Sequence, residues 1–187
     1  MEQLEYITLD ARSGLDLEDD LALAAQNEVA AFEPLYVRHR TAVYRYLRTR
    51  TTDEDDAADL TALTFERAFV AISRYRPGGA GVRAWLFGIA RNASIDHGRH
   101  LQAAPPPDRS PDPVVGPETR LVADEDAAEL RHRVASLPSD QRDAIVLRFA
   151  AGLTAREIGA VLGKTEAASQ KLVSRGIAAL KEAYRVR

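Results

Sequence analysis

The sequence predicts an all-α protein of two small helical domains joined by a proline-rich linker. Three observations carry this. Apolar residues recur at spacings of three and four through most of the chain, which sets them on one stripe of a helix. Alternation of β-branched residues bounded by turns, the mark of a half-buried strand, is nowhere sustained. Between the periodic stretches lies Ala103-Ala104-Pro105-Pro106-Pro107, continuing through Pro111, Pro113, Gly116 and Pro117. Proline fixes φ and removes a backbone donor, so this segment cannot continue a helix and reads as an extended, solvated tether. The predicted organisation is a flexible acidic N-terminus over 1–19, a first domain over 20–100, a linker over 101–123 and a second domain over 124–187.

Each element follows from its residues. Leu21, Leu23, Ala24 and Ala31 begin an apolar stripe that runs on through Phe32, Leu35, Tyr36, Val43, Tyr44 and Leu47. Asp53-Glu54-Asp55-Asp56 places acids where a helix N-terminus favours them, and Ala57, Leu60, Leu63, Thr64, Ala68 and Ile72 form the inner face of the helix that follows. Arg76-Pro77-Gly78-Gly79-Ala80-Gly81 stops it. A further helix runs from about Val82 to His100, with Trp85, Leu86, Ile89, Ala90, Ala93 and Ile95 apolar; Trp85 reads as core before it reads as a base-stacking platform.

Beyond the linker, Asp124 to Ser136 reads as a helix with Leu130 and Val134 inward. Leu137-Pro138-Ser139 breaks it, and Ser139 is placed to cap Asp140–Ala151, which buries Ala144, Ile145, Leu147 and Phe149. Gly152 ends that helix. Thr154 caps Ala155–Leu162 with Glu157 completing a capping box, Gly163 ends it, and Thr165 caps the last helix, Glu166 to about Tyr184.

The net charge of −3 conceals an alternation. Residues 1–30 carry −7, 31–100 carry +3, 101–136 carry −3 and 137–187 carry +4. Phosphate binding depends on the local field, so the two basic blocks are compatible with nucleic acid, and equally with ordinary solvated helix surfaces. There is no cysteine, so no disulfide or thiolate metal site holds the fold. No apolar run approaches the roughly 20 residues needed to span a bilayer. The start, Met1-Glu2-Gln3-Leu4-Glu5, lacks the basic and apolar regions of a signal peptide. A cytoplasmic protein without membrane insertion is expected.

Thr154 to Leu180 fits a helix-turn-helix. Ile158 and Leu162 would face Leu172, Gly163 permits the turn, and Gly159 lets the second helix approach closely. That geometry sets the N-terminal end of the last helix in a DNA major groove, with Lys164, Thr165, Glu166, Gln170, Lys171 and Arg175 as exposed candidates. Gln suits adenine, and Lys or Arg suit guanine or phosphate. The plainer alternative is an αα-hairpin whose polar face meets only water. Ser169 falls where such hairpins usually bury Val or Ile; a bond back to a carbonyl in the preceding turn would satisfy its hydroxyl.

The ordered motifs resemble those of the extracytoplasmic-function (ECF) sigma factors of the sigma-70 family. Ala31-Phe32-Glu33-Pro34-Leu35-Tyr36 and Val43-Tyr44-Arg45-Tyr46-Leu47 are similar to the opening helix of a σ2 domain. Asp56-Ala57-Ala58-Asp59-Leu60, followed by Thr64-Phe65, is similar to the segment that docks on the β′ coiled coil of RNA polymerase. Trp85-Leu86-Phe87-Gly88-Ile89-Ala90-Arg91-Asn92, then Asp96 and Arg99, matches the family's most recognisable string. Leu137-Pro138, Gln141-Arg142, Glu157-Ile158-Gly159 and Leu162-Gly163-Lys164-Thr165-Glu166, continued by Arg175 and Leu180, resemble σ4. The likeness covers roughly residues 20–100 and 125–184.

The resemblance implies a mechanism. The first domain would bind the polymerase clamp through Asp56, Asp59, Leu60, Leu63 and Phe65, and open the −10 element. Tyr75, the loop 78–81 and Asn92 match the positions around a pocket for an unstacked base, with Arg83, Arg91 and Arg99 on nearby phosphates. The second domain would read the −35 element. Partners implied are core RNA polymerase (β′ clamp and β subunits), promoter DNA and an anti-sigma factor able to mask the packed domains. Ala62-Leu63 departs from the Gln-Glu usual before the Thr-Phe pair and removes two polar groups from the docking face.

Other readings stay in view. His97 and His100 sit at i and i+3, but no third ligand or carboxylate cluster completes a metal site, and no phosphate loop or nucleophile motif points to an enzyme. Neither metal nor cofactor is expected. A DNA-binding regulator that never enters polymerase would share the hairpin but need none of the string from Asp59 to Arg99. A sigma-like interaction protein that forms no holoenzyme is the third alternative.

Overall fold

The computed structural model describes residues 14–51, 53–103, 129–130 and 132–185. Among these every regular element is helical: α1 (Gly14–Ala24), α2 (Phe32–Arg48), α3 (Glu54–Ala71), α4 (Gly81–Ala103), α5 (Ser139–Phe149), α6 (Ala155–Leu162) and α7 (Glu166–Arg185), with short 3₁₀ turns at Val29–Ala31 and Ile72–Arg74. Residues 129–130 and 132–136 are also helical.

Local chemistry explains most boundaries. Asp53 caps α3, its side chain accepting from Asp55 N at 2.8 Å, and three acids fill the first turn. Thr154 and Glu157 form the capping box of α6, and Gly163 closes it in the left-handed conformation at φ 66°. Thr165 Oγ1 accepts from Ala168 N at the start of α7.

Four boundaries differ from expectation. α1 begins at Gly14, inside the stretch expected to be flexible, because Ala22 and Ala25 seat it in a cluster with Leu35, Ile72, Tyr75 and Val82. The apolar stripe read as continuous from Leu21 to Leu47 is interrupted between α1 and α2, leaving Leu23 and Val29 exposed. Ser139 is the first residue of α5, whose cap position is Pro138 with no side-chain bond. α4 runs to Ala103, three residues into the expected linker, and the proline-rich remainder lies outside the described residues.

The main core joins α2 (Val43, Tyr46, Leu47), α3 (Leu60, Phe65, Ala68) and α4 (Leu86, Phe87, Ala90, Ala93) to α5 and α6 (Ala144, Val146, Leu147, Ile158). Edge-on aromatic pairs set its angles: Tyr36 on Phe65 at 4.8 Å and Tyr46 on Phe87 at 5.6 Å. Trp85 is partly buried between this core and the α1 cluster, as read from the sequence. The second domain therefore lies directly on the first, chiefly α6 on α4. Phe149, expected inside, is 64% exposed, and Val146 takes the inward place. Leu130 is also largely exposed. Phe149 and Leu130 border an apolar groove of about 1300 Å³ with Ile145, Ile177 and Tyr184.

Candidate nucleic-acid interface

α4 carries four of the five residues expected at the −10 element, and two of them are already engaged. Arg91 Nε donates to Asp143 Oδ2 at 3.0 Å, and Arg50 Nη1 donates to Asp143 Oδ1 at 2.6 Å. Arg50 Nε also bonds Ser94 Oγ at 2.8 Å, and its guanidinium lies 5.4 Å from the Tyr46 ring centre. Asp143 is thus a buried carboxylate on α5 with one oxygen for each of two first-domain arginines. Burial in this nest pushes the Tyr46 phenol up to about 12.

Arg83 is held in the same way. Its Nε lies 3.6 Å from Oε1 of the buried Glu157, and Nη2 donates to the carbonyls of Ala151 and Gly152 at 3.3 and 3.0 Å. Arg156 lies against the glycine-rich loop, where a Cβ on Gly79 would come within 2.8 Å of its Nη2. Asn92 and Arg99 remain exposed, Arg99 with only a 4.0 Å approach to Asp96. In this closed arrangement second-domain oxygens occupy both Arg83 and Arg91.

Tyr75, expected beside the −10 pocket, is buried in this arrangement. It is 4% exposed, packs on Trp85 at 5.1 Å and donates from its hydroxyl to Asp19 Oδ1 at 2.6 Å. Its phenol is raised well above the ordinary value, first by burial and then by Asp19. It belongs to the cluster that seats α1 and supports the loop from behind.

The expected polymerase-docking set divides. Leu60 and Phe65 are core residues at 4% and 5% exposure, packed with residues of α2 and α4. Asp59 is exposed. Asp56 is partly exposed with His97 Nε2 at 3.4 Å. Leu63 is partly buried and opens on a small hollow with Arg67 and His100. Among the described residues no group of three or more His, Cys, Asp or Glu is placed to hold a metal ion. No helix there is long and apolar enough to cross a membrane.

The hairpin has the expected form. Ile158 is fully buried, with Leu162 and Leu172 packed against the same core. A Cβ on Gly159 would stand 2.6 Å from Lys164 O, so only glycine admits the approach of the turn. Ser169 is fully buried beside it, and its hydroxyl donates to Thr165 O at 3.1 Å. Lys164, Thr165, Glu166, Gln170, Lys171 and Arg175 are all exposed, Lys164 with its ammonium 2.9 Å from Asp140.

Sequence reading missed Arg50, Asp143 and Asp19. A signal existed for Asp143, since it heads the unbroken buried run 143–147, where an ionised carboxylate requires a partner. Arg50 stands 93 residues away, and nothing local names it.

Residues 35–103 match sigma-70 region 2, and residues 127–180 match sigma-70 region 4. The ECF RNA polymerase sigma factor BldN of Streptomyces coelicolor is 33% identical over 168 residues, covering 84% of this chain and 61% of BldN. ShbA of Streptomyces griseus, also an ECF RNA polymerase sigma factor, is 30% identical over 171 residues, covering 84% of this chain and 90% of ShbA. The structure of CnrH, solved with the cytosolic domain of CnrY, superposes with a TM-score of 0.70 at 26% identity, covering 90% and 97% of the two chains. The fold and its motifs define a two-domain promoter-specificity protein. The chain belongs to the sigma-70 family, among its ECF RNA polymerase sigma factors.

Proposed function

We propose that this sigma factor joins core RNA polymerase in the cytoplasm, opens the −10 element with its first domain (20–100) and reads the −35 element as duplex with its second (124–187). The observation that carries this is the α6–α7 hairpin, whose Gly159 and Gly163 set a tight turn beside the exposed polar residues Lys164, Thr165, Glu166, Gln170, Lys171 and Arg175. Lys171 and Arg175 serve as phosphate or guanine contacts, and Gln170 as an adenine contact. In the first domain Asn92 and Arg99 are open, and Arg83 and Arg91 become so when Asp143 and Glu157 withdraw. Docking on the β′ clamp uses Asp56, Asp59 and Leu63, with Leu60 and Phe65 holding the helix from within. The chain supplies recognition and strand opening, and the polymerase supplies catalysis. The complex of CnrH with the cytosolic domain of CnrY supports a protein that keeps the two domains masked.

Run-off transcription with reconstituted polymerase on genomic promoter fragments tests the reading. A stoichiometric holoenzyme should form and initiate at discrete starts, with DNA binding that weakens steeply as salt rises. A folded chain that neither joins the core enzyme nor initiates on any fragment would defeat it.

A further inference from the structure

The loop Arg76-Pro77-Gly78-Gly79-Ala80-Gly81 is rich in glycine, and its Arg76, Pro77, Gly78 and Gly79 are exposed. A chain of that composition has little intrinsic shape. Two ties give it one. Asp19 Oδ1 accepts from Tyr75 Oη at 2.6 Å on one flank and from Val82 N at 2.8 Å on the other. Gln26, just beyond α1, donates to Tyr75 O at 2.7 Å. Inside the loop Gly81 N bonds Gly78 O at 2.8 Å, with Gly81 at φ 71°.

A single carboxylate oxygen therefore closes the loop at its base. It does so at the N-terminus of α4, where unpaired backbone N–H groups and the helix dipole favour negative charge. Both donors are buried, so neither has water as an easy substitute.

We infer that Asp19 is a positioning residue for promoter opening: it fixes the shape in which the 76–81 loop meets the separated −10 strand. The inference rests on the reading that this loop faces that strand. Capturing an unstacked base demands a pre-shaped pocket, since every loop residue ordered on binding costs free energy that a rigid loop has already spent. A slack loop lowers capture, and it lowers it most for the base that fits best.

Holoenzyme made from the full chain tests this on a promoter the wild type drives, and on copies with each −10 and −35 base replaced in turn. D19A should cut run-off from the intact promoter about tenfold, the order expected for losing hydrogen bonds to a charged acceptor. It should also flatten discrimination among −10 bases while the −35 ratios stay unchanged. D19N, whose amide oxygen still accepts both bonds, should restore both measures. A purely structural role would instead lower every promoter alike and follow thermal stability. Y75F removes one tie only and carries the test if D19A does not fold, with the same pattern to a smaller degree. Unaltered −10 discrimination in the folded variant overturns the inference. A wild type that joins polymerase but starts nowhere defeats the functional reading itself, and the inference falls with it.

Discussion

At the scale of single residues, Ser169 shows how a polar side chain becomes the best choice for a buried site. Its hydroxyl returns to Thr165 O at 3.1 Å and the residue is fully buried, so the polar group is satisfied in place. Replacing it with the larger, apolar Val should destabilise the protein by about 1–3 kcal/mol through overpacking, against the usual gain from apolar burial. Urea unfolding of S169V beside wild type checks this, and a more stable variant would refute it. This position read as an anomaly in the sequence because the neighbouring backbone approach, at Gly159, is what limits the volume. Phe149 was misread for a related reason: α5 buries five consecutive residues, 143–147, so its contacts surround the helix there and a single stripe does not describe it.

Individual helices are held by separable devices. α6 depends on its capping box, in which Glu157 Oε2 accepts from both Thr154 N and Thr154 Oγ1 at 2.7 Å. T154A should cost about 1 kcal/mol by urea denaturation and loosen the hairpin, seen as weaker binding to −35 duplex. α1 depends on charge. Glu18 lies 3.5 Å from His39 Nε2 and 3.4 Å from Arg38 Nη1. Burial alone would raise the Glu18 carboxyl; the neighbouring His39, with help from Arg83 and Arg38, outweighs it and holds the group below its ordinary value. A depressed folded value favours the native state above the unfolded carboxylate range, and that share is lost as pH falls through the folded value. Protection of the α1 amides, taken relative to the exchange of unstructured chain at each pH, should therefore fall on acidification, and E18Q should remove this acid dependence while lowering the protection at neutral pH. Boundaries of this kind were legible where the device is local: Asp53, Thr154, Gly163 and the 76–81 loop stop or start helices by their own chemistry. The seat of α1 was not, because its partners Tyr75 and Val82 lie 56 and 63 residues from Asp19.

For the whole molecule the decisive contacts join the domains. Periodicity and motif order made both domains visible, and the family resemblance implied that they could pack together, but no residue pattern named the contacts between them. Asp143 and Glu157 meet Arg50, Arg91 and Arg83 across a separation that no local pattern encodes. Removing the carboxylate from a buried pair costs about 3–5 kcal/mol where the stranded charge cannot escape. Here the arginines regain water if the domains part, so D143N should open the chain in preference to unfolding it. The absence of native cysteine allows a direct check with fluorophores on S73C and S174C. Energy transfer should fall in D143N at unchanged helix content, and unchanged transfer would show that apolar packing alone holds the domains together.

The pairing of Asp143 with Arg50 and Arg91 also bears on what the protein ignores. A cell is crowded with RNA and with stretches of chromosome that are not start sites, and bare guanidinium groups would stick to all of them. Sheathed by a carboxylate, these side chains are closed to that background for as long as the two halves stay together.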